Sequence, residues 1–252
     1  MCTVVLLRRP GHAWPLLLAA NRDERVERAW EPPARHWPDR IDVIAGRDEE
    51  AGGSWLGMNE HGLVAAVLNR TGSLGPAAGK RSRGELPLDA LDFPDAASAA
   101  DALADLDAGA YRSFNLVVAD CRDAFWIKGE GVGAPSVARA PEGVSILTAH
   151  DLNDVAASPR TRHYLPIFEA APPPEPDSGD WSTWESLLAS RDMAPGQSDA
   201  NAAIHVETDW GFGTVSSSLI ALPSPESSPD IRPVWRFATA WPHRMAYIPI
   251  AL

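Results

Sequence analysis

Short apolar runs, separated by turn signals and gathered into groups, constrain the fold of this chain more tightly than any single motif. Residues 3–7 (Thr-Val-Val-Leu-Leu) and 16–20 (Leu-Leu-Leu-Ala-Ala) flank Pro10-Gly11, the pattern of two strands joined by a turn. Residues 63–68, 114–119, 124–128, 144–148, 213–222, 234–239 and 245–250 read as further strands. Helical patterns lie between these groups: an alanine-rich stretch over 86–106, broken at Pro94, then 160–170 and 181–190. Grouped strands and grouped helices favour an antiparallel α+β arrangement over alternating βαβ units. The 252 residues read as one domain, 1–252, with the proline-rich stretch 171–179 as a surface loop inside it. Residues 71–84, rich in glycine and basic side chains, read as a flexible loop that could close over a pocket.

The first hairpin carries a chemical consequence. Centred near residues 11–12, it pairs positions whose numbers sum to about 23, within about two. Cys2 then faces Asn21-Arg22-Asp23-Glu24 at the exit of the second strand. Cysteine is small enough for an aminopeptidase to remove Met1, which would leave a thiol and a free α-amine on one residue. Such an amine has a pKa of about 7.7–8.0 and a thiol about 8.5. The amine can therefore take the thiol proton, the logic of an N-terminal nucleophile. Around it, Arg22 could lower the thiol pKa, Asp23 could orient the α-ammonium and Asn21 could donate to an oxyanion.

Composition excludes several classes. Acidic residues number 34 against 22 basic ones, a net charge of −12 with no basic stripe, so nucleic acid is not an expected partner. Two cysteines, Cys2 and Cys121, make no disulfide scaffold and suit a reducing cytoplasm. No apolar run approaches the 20 or so residues of a membrane span, so no membrane insertion is expected. The start lacks the features of a signal peptide, which also points to the cytoplasm. Histidines lack metal-ligand spacing, so no metal is expected. Trp14, Trp30, Trp37, Trp55, Trp126, Trp210 and Trp241 are candidates to line an apolar pocket.

Met1-Cys2-Thr3, Asn21-Arg22-Asp23-Glu24, Gly53-Ser54-Trp55-Leu56-Gly57 and Asn59-Glu60-His61-Gly62-Leu63 resemble the NRDE family, which includes the transport and Golgi organization 2 proteins. Ser82-Arg83-Gly84, Phe114-Asn115-Leu116 and Gly213-Thr214 extend the resemblance over most of the chain. More distantly, the family is similar to the cysteine N-terminal nucleophile hydrolases, among them bile salt hydrolases and penicillin V acylases. The resemblance implies a four-layer αββα sandwich of two antiparallel sheets and a non-peptide amide hydrolase working through an acyl-enzyme. Cys2 matches the nucleophile, Arg22 and Asp23 its charged neighbours, and Asn69 an oxyanion-hole asparagine. With them, Asn21, Trp55, Asn59 and Asn115 stand as candidates for substrate contact. Two positions depart: Ala149 stands where the acylases carry asparagine, and Val215 where many NRDE proteins carry arginine. Loss of one oxyanion donor costs on the order of 10²–10³ in rate. The alternative is a non-enzymatic carrier of haem or a lipid-related ligand. The expected partner is thus a small amide or an apolar molecule, and no cofactor is expected beyond transient haem under the alternative.

Overall fold

The computed structural model describes residues 2–228, 230–240 and 246–252. They fall into two compact units, the first combining Met1–Arg28 with Pro141–Ile250 and the second Ala29–Ala140 with Ala251–Leu252. The second unit is thus inserted between the two ends of the first along the chain. The expected trimming of Met1, pocket-lining Trp241 and the start of the strand at Met245 lie outside the described residues.

The first unit is a six-stranded antiparallel sheet with two helices. Its strands are β1 (Thr3–Arg8), β2 (Leu16–Arg25), β10 (Gly143–Leu147), β11 (Phe212–Leu222), β12 (Val234–Thr239) and β13 (Ile248–Pro249), in the order β10-β1-β2-β11-β12-β13. Thr3 pairs with Asn21 and Val4 with Ala20, so partners sum to 24, one from the expected register. Alternate residues of one face, Val5, Leu7, Leu17, Ala19, Ile146, Leu219 and Ala221, bury against Tyr164 and Phe168 of α3 (Pro159–Ala170) and Trp184 and Leu188 of α4 (Ser182–Leu188).

β2 does not stop at its apolar run. It continues through Asn21-Arg22-Asp23-Glu24 to Arg25, because β11 pairs along its whole length, from Leu222 opposite Leu16 to Phe212 opposite Arg25. The polar cluster expected at the strand's exit is therefore inside the sheet. One bulge, between Thr214 and Ser216, interrupts the ladder at Val215.

The second unit holds seven antiparallel strands in sequence order: β3 (Trp30–Ala34), β4 (Val43–Asp48), β5 (Leu56–Asn59), β6 (Val64–Asn69), β7 (Phe114–Ala119), β8 (Ala124–Gly129) and β9 (Ser136–Arg139). Its core joins Val43, Ala45, Leu63, Ala65, Phe114, Leu116 and Val118 to the helices α1 (Glu85–Leu91) and α2 (Ala96–Ala104). The break expected at Pro94 falls between those helices. β3, β4 and β9 carry weak sequence signals. β3 contains two prolines and β9 is wholly exposed, and both lie at edges, where prolines and solvated residues are tolerated.

Two glycine-bearing turns of this unit are structural joints. A Cβ at Gly53 would stand 2.4 Å from the Gly84 carbonyl carbon, and Ser54 N donates to Gly84 O at 2.8 Å. Gly53-Ser54 and Ser82-Arg83-Gly84 thus dock backbone to backbone, which only glycine permits. The loop 71–84 is not free either. Arg83 donates to the carbonyls of Ser73 at 2.6 Å and Ser113 at 3.1 Å. Arg112 reaches those of Leu74 at 2.7 Å and Gly72 at 2.8 Å, and Lys80 bonds Gly109 O. Lys80 and Arg83, which suggested a mobile lid, instead tie the loop to carbonyls beside it, and Arg112 from outside holds it by its own.

Candidate active site at the head of the first strand

The register that pairs Thr3 with Asn21 sets Cys2 opposite Arg22. Strand alternation then separates the polar cluster into two faces. Thr3, Asn21 and Asp23 share the face covered by α3 and α4, while Cys2 and Arg22 share the opposite one. The sequence suggested that all four polar residues would crowd the thiol; a period of two leaves only Arg22 and, one step further along β2, Glu24 on its face.

On the helical face the side chains are tightly committed. The Asp23 carboxylate accepts from Thr214 Oγ1 at 2.7 Å and from Arg160 Nη1 at 3.1 Å. Both ends of this ion pair are out of solvent, with side-chain exposures of 3% for Arg160 and 0% for Asp23. The same Nη1 donates to Thr3 Oγ1 at 2.6 Å, while Nε and Nη2 donate to Asn201 O at 3.2 and 2.9 Å. Asn21, expected at the oxyanion or substrate, has its whole amide engaged elsewhere. Its Nδ2 donates to Leu188 O and Ile204 O, both at 2.9 Å, and its Oδ1 accepts from Ser217 Oγ at 2.6 Å. It ties the end of α4 and the segment before β11 to the sheet.

Cys2 is half-buried, and its thiol donates to the Asp23 carbonyl at 3.7 Å. Burial first, and the Asp23 carboxylate second, push the thiol pKa up; the opposing pull of the Arg22 guanidinium is smaller. Arg22 is itself buried, with Ser216 across the ladder. The β1–β10 ladder ends where Val4 pairs with Leu147, and Thr148 and Ala149 follow in a bend. The departure at Ala149 therefore lies in the bend two residues past β10, the strand that flanks β1.

Arg160 was missed by motif reading. It occupies the first turn of α3, where Ser158 caps the helix by accepting from Thr161 N at 3.1 Å and Pro159 opens it. A cation there opposes the helix dipole, and that local mismatch was the available signal that a buried anion must face it. Beside Arg160, on the α3 side, lies a cavity of about 60 Å³ lined by Thr148, His150, Ser158, Asp199 and Asn201.

The second unit holds the other expected residues. Asn69 ends β6 opposite Phe114. Alternation gives it the face of Phe114 and Ala65, which packs on α1 and α2, and gives Arg70 and Asn115 the other. Asn115 Oδ1 accepts from Arg70 at 2.7 Å and from Trp126 Nε1 at 3.0 Å. Asn59 closes its own hairpin: its Oδ1 accepts from the amides of His61 and Leu63, and its Nδ2 donates to Leu91 O and Phe93 O. Trp55 stands edge-on to Trp30 at 5.7 Å and covers Gly46, where a Cβ would meet its ring at 2.3 Å. Among the other tryptophans, Trp14 is in the first unit's core and Trp210 is exposed, stacked on Phe212 at 5.2 Å. No group of three or more metal-ligating side chains gathers among the described residues. No helix among them is long and apolar enough to cross a membrane.

The family model for transport and Golgi organisation 2 matches residues 1–164, which hold Cys2, the Asn21–Glu24 strand, the Asn59 hairpin and Arg160. The chain belongs to that family. The bovine transport and Golgi organization protein 2 homolog is 36% identical over 124 residues, 43% of this chain and 40% of the relative; the human homolog is 33% identical over 121 residues. The aligned stretch thus spans well under half the length of these relatives. Among solved structures, a penicillin V acylase from Agrobacterium tumefaciens aligns over 95% of this chain and 83% of its own at 14% identity, TM-score 0.59. A mutant conjugated bile acid hydrolase from Clostridium perfringens aligns over 99% and 92% at 13% identity, TM-score 0.58. The Caenorhabditis elegans ortholog of N-acylethanolamine-hydrolyzing acid amidase gives 90%, 95%, 13% and 0.57. These likenesses show the fold class, α+β with two antiparallel sheets.

Proposed function

We propose that this protein is a cysteine N-terminal nucleophile amide hydrolase, or a descendant of one, acting on small non-peptide N-acyl amides. The observation that carries this reading is the placement of Cys2 at the head of a central strand. Arg22 lies on its face, and a fixed Asp23 stands behind it. While Met1 is attached, burial and Asp23 keep the thiol protonated at neutral pH. Removal of Met1 would place an α-ammonium on the same residue, which favours the thiolate. The free amine would accept the thiol proton, the sulfur would attack the amide carbonyl, and the amine would return the proton to the leaving nitrogen. Water would then resolve the thioester.

The test is intact-mass analysis for loss of Met1, followed by assay of the trimmed protein and its Cys2→Ala variant. The amides are penicillin V, a conjugated bile acid and an N-acylethanolamine, after the enzymes whose structures this one resembles. Turnover abolished by Cys2→Ala supports hydrolysis; activity in protein that keeps Met1 would remove the mechanism.

Ala149 and Val215 favour a second reading, a carrier that holds haem or another apolar ligand in the old pocket. A defined Soret shift on haem titration, with no amide turnover, would support it. Haem binding unchanged in Cys2→Ala would exclude the thiolate as ligand.

A further inference from the structure

We infer that Arg160 is a positioning residue for the nucleophile, setting Cys2 reactivity through Asp23 from the opposite face of the sheet. The inference rests on Cys2 being the nucleophile, but not on any particular amide being cleaved.

The geometry has three parts. One guanidinium nitrogen, Arg160 Nη1, bridges Thr3 Oγ1 and Asp23 Oδ2, side chains on two paired strands, adjacent to Cys2 in sequence and in space. The remaining donors anchor the guanidinium on Asn201 O, so its position is set independently of the strands it holds. Thr214 fixes the second carboxylate oxygen. Asp23 is thus oriented at both oxygens, with its backbone carbonyl meeting the thiol.

A buried ion pair is a poor device for stability, because desolvating both charges offsets most of their attraction. This one is also placed against the dipole of α3. Its consequence is electrostatic. An uncompensated Asp23 carboxylate would repel a thiolate on Cys2, and Arg160 cancels that repulsion without approaching the sulfur's own face. The charged groups bearing on this arrangement are Arg22 and Asp23 at the thiol, and His150 and Asp199 in the cavity beside Arg160. That cavity also makes the role testable by chemical rescue, since truncating Arg160 enlarges it toward Asp23.

The experiment is the pH dependence of Cys2 alkylation by iodoacetamide, read by peptide mass spectrometry, with Cys121 as the internal reference. The variants are Arg160→Met, Arg160→Lys, Arg160→Ala and the double variant Asp23→Asn/Arg160→Met. In Arg160→Met the midpoint should rise by about one pH unit, with alkylation about tenfold slower at neutral pH. Arg160→Lys should shift it less, and the double variant, lacking both charges, should return toward the parent value. Guanidinium at low millimolar concentration should speed alkylation of Arg160→Ala but not of the parent. A folded Arg160→Met with the parent's midpoint would overturn the inference. If that variant does not fold, the double variant and Arg160→Lys decide: a double variant displaced upward by the full unit, or a lysine variant displaced by as much, would also overturn it. Amide turnover measured alongside separates the two readings. Shifted alkylation without turnover leaves Arg160 in its role and removes the hydrolase.

Discussion

The polar stretch of β2 and the hairpin after β5 look alike in sequence, each opening on an asparagine followed by charged residues, yet they do different work. In both, the asparagine is fully used on local partners: Asn59 bonds two amides and two carbonyls, and Asn21 bonds two carbonyls and a serine. Around Asn59 there is nothing further; the motif closes a turn and tethers the end of α1. Around Asn21 the neighbouring positions alternate through a sheet, so that Asp23 turns toward a buried arginine and Arg22 toward a thiol. An asparagine-led motif is therefore scaffold in both places. What differs is whether the adjacent charges are buried in a strand or solvated at a turn.

That contrast can be broken by mutation, most severely at the ion pair. Arg160→Met strands the Asp23 charge in the interior and should cost about 3–5 kcal/mol, read as a lower urea midpoint. The Asp23→Asn/Arg160→Met pair should recover a large part of it. In the second unit, Gly53→Ala forces a methyl into the Gly84 backbone and should cost about 1–3 kcal/mol, with Cys2 alkylation unchanged. Asn59→Ala leaves one buried and one half-buried carbonyl and two amides short of a partner and should cost about 1–3 kcal/mol. Again the alkylation profile of Cys2 should not move; a shift would mean that the hairpin does more than close itself.

The smallest effect is at Tyr111. Its buried hydroxyl finds no hydrogen-bond partner among the described residues, and burial pushes its pKa up to about 12. The unfolded chain ionises near pH 10 and the folded one only near 12, so stability should fall as pH rises through that window. Tyr111→Phe should reduce the fall and raise the melting temperature slightly at neutral pH, because a buried unsatisfied hydroxyl is lost. A lowered melting temperature would show that the hydroxyl is satisfied after all.

Legibility in the sequence followed the strength of local signals. The first hairpin, the helices flanking Pro94 and the long β11 were readable, since apolar runs and turn residues report directly on pairing and burial. Edge strands β3 and β9 were not, because edges tolerate proline and exposed polar residues. Chemistry at the head of the chain was half readable: Cys2 and the Asn21–Glu24 cluster stood out, while the partner of Asp23 lay 137 positions away.

By itself, the order of residues determined the antiparallel α+β class, the first hairpin to within one residue of its register, and the family to which the chain belongs. All of these depend on contacts between near neighbours or on recurring local words. Tertiary structure alone decided which asparagines are scaffold, that loop 71–84 is pinned, and that Arg160 completes the charge balance of Asp23. Those outcomes depend on which face a side chain takes and on what distant backbone or helix end arrives there, and a periodicity of two or 3.6 carries no record of that arrival.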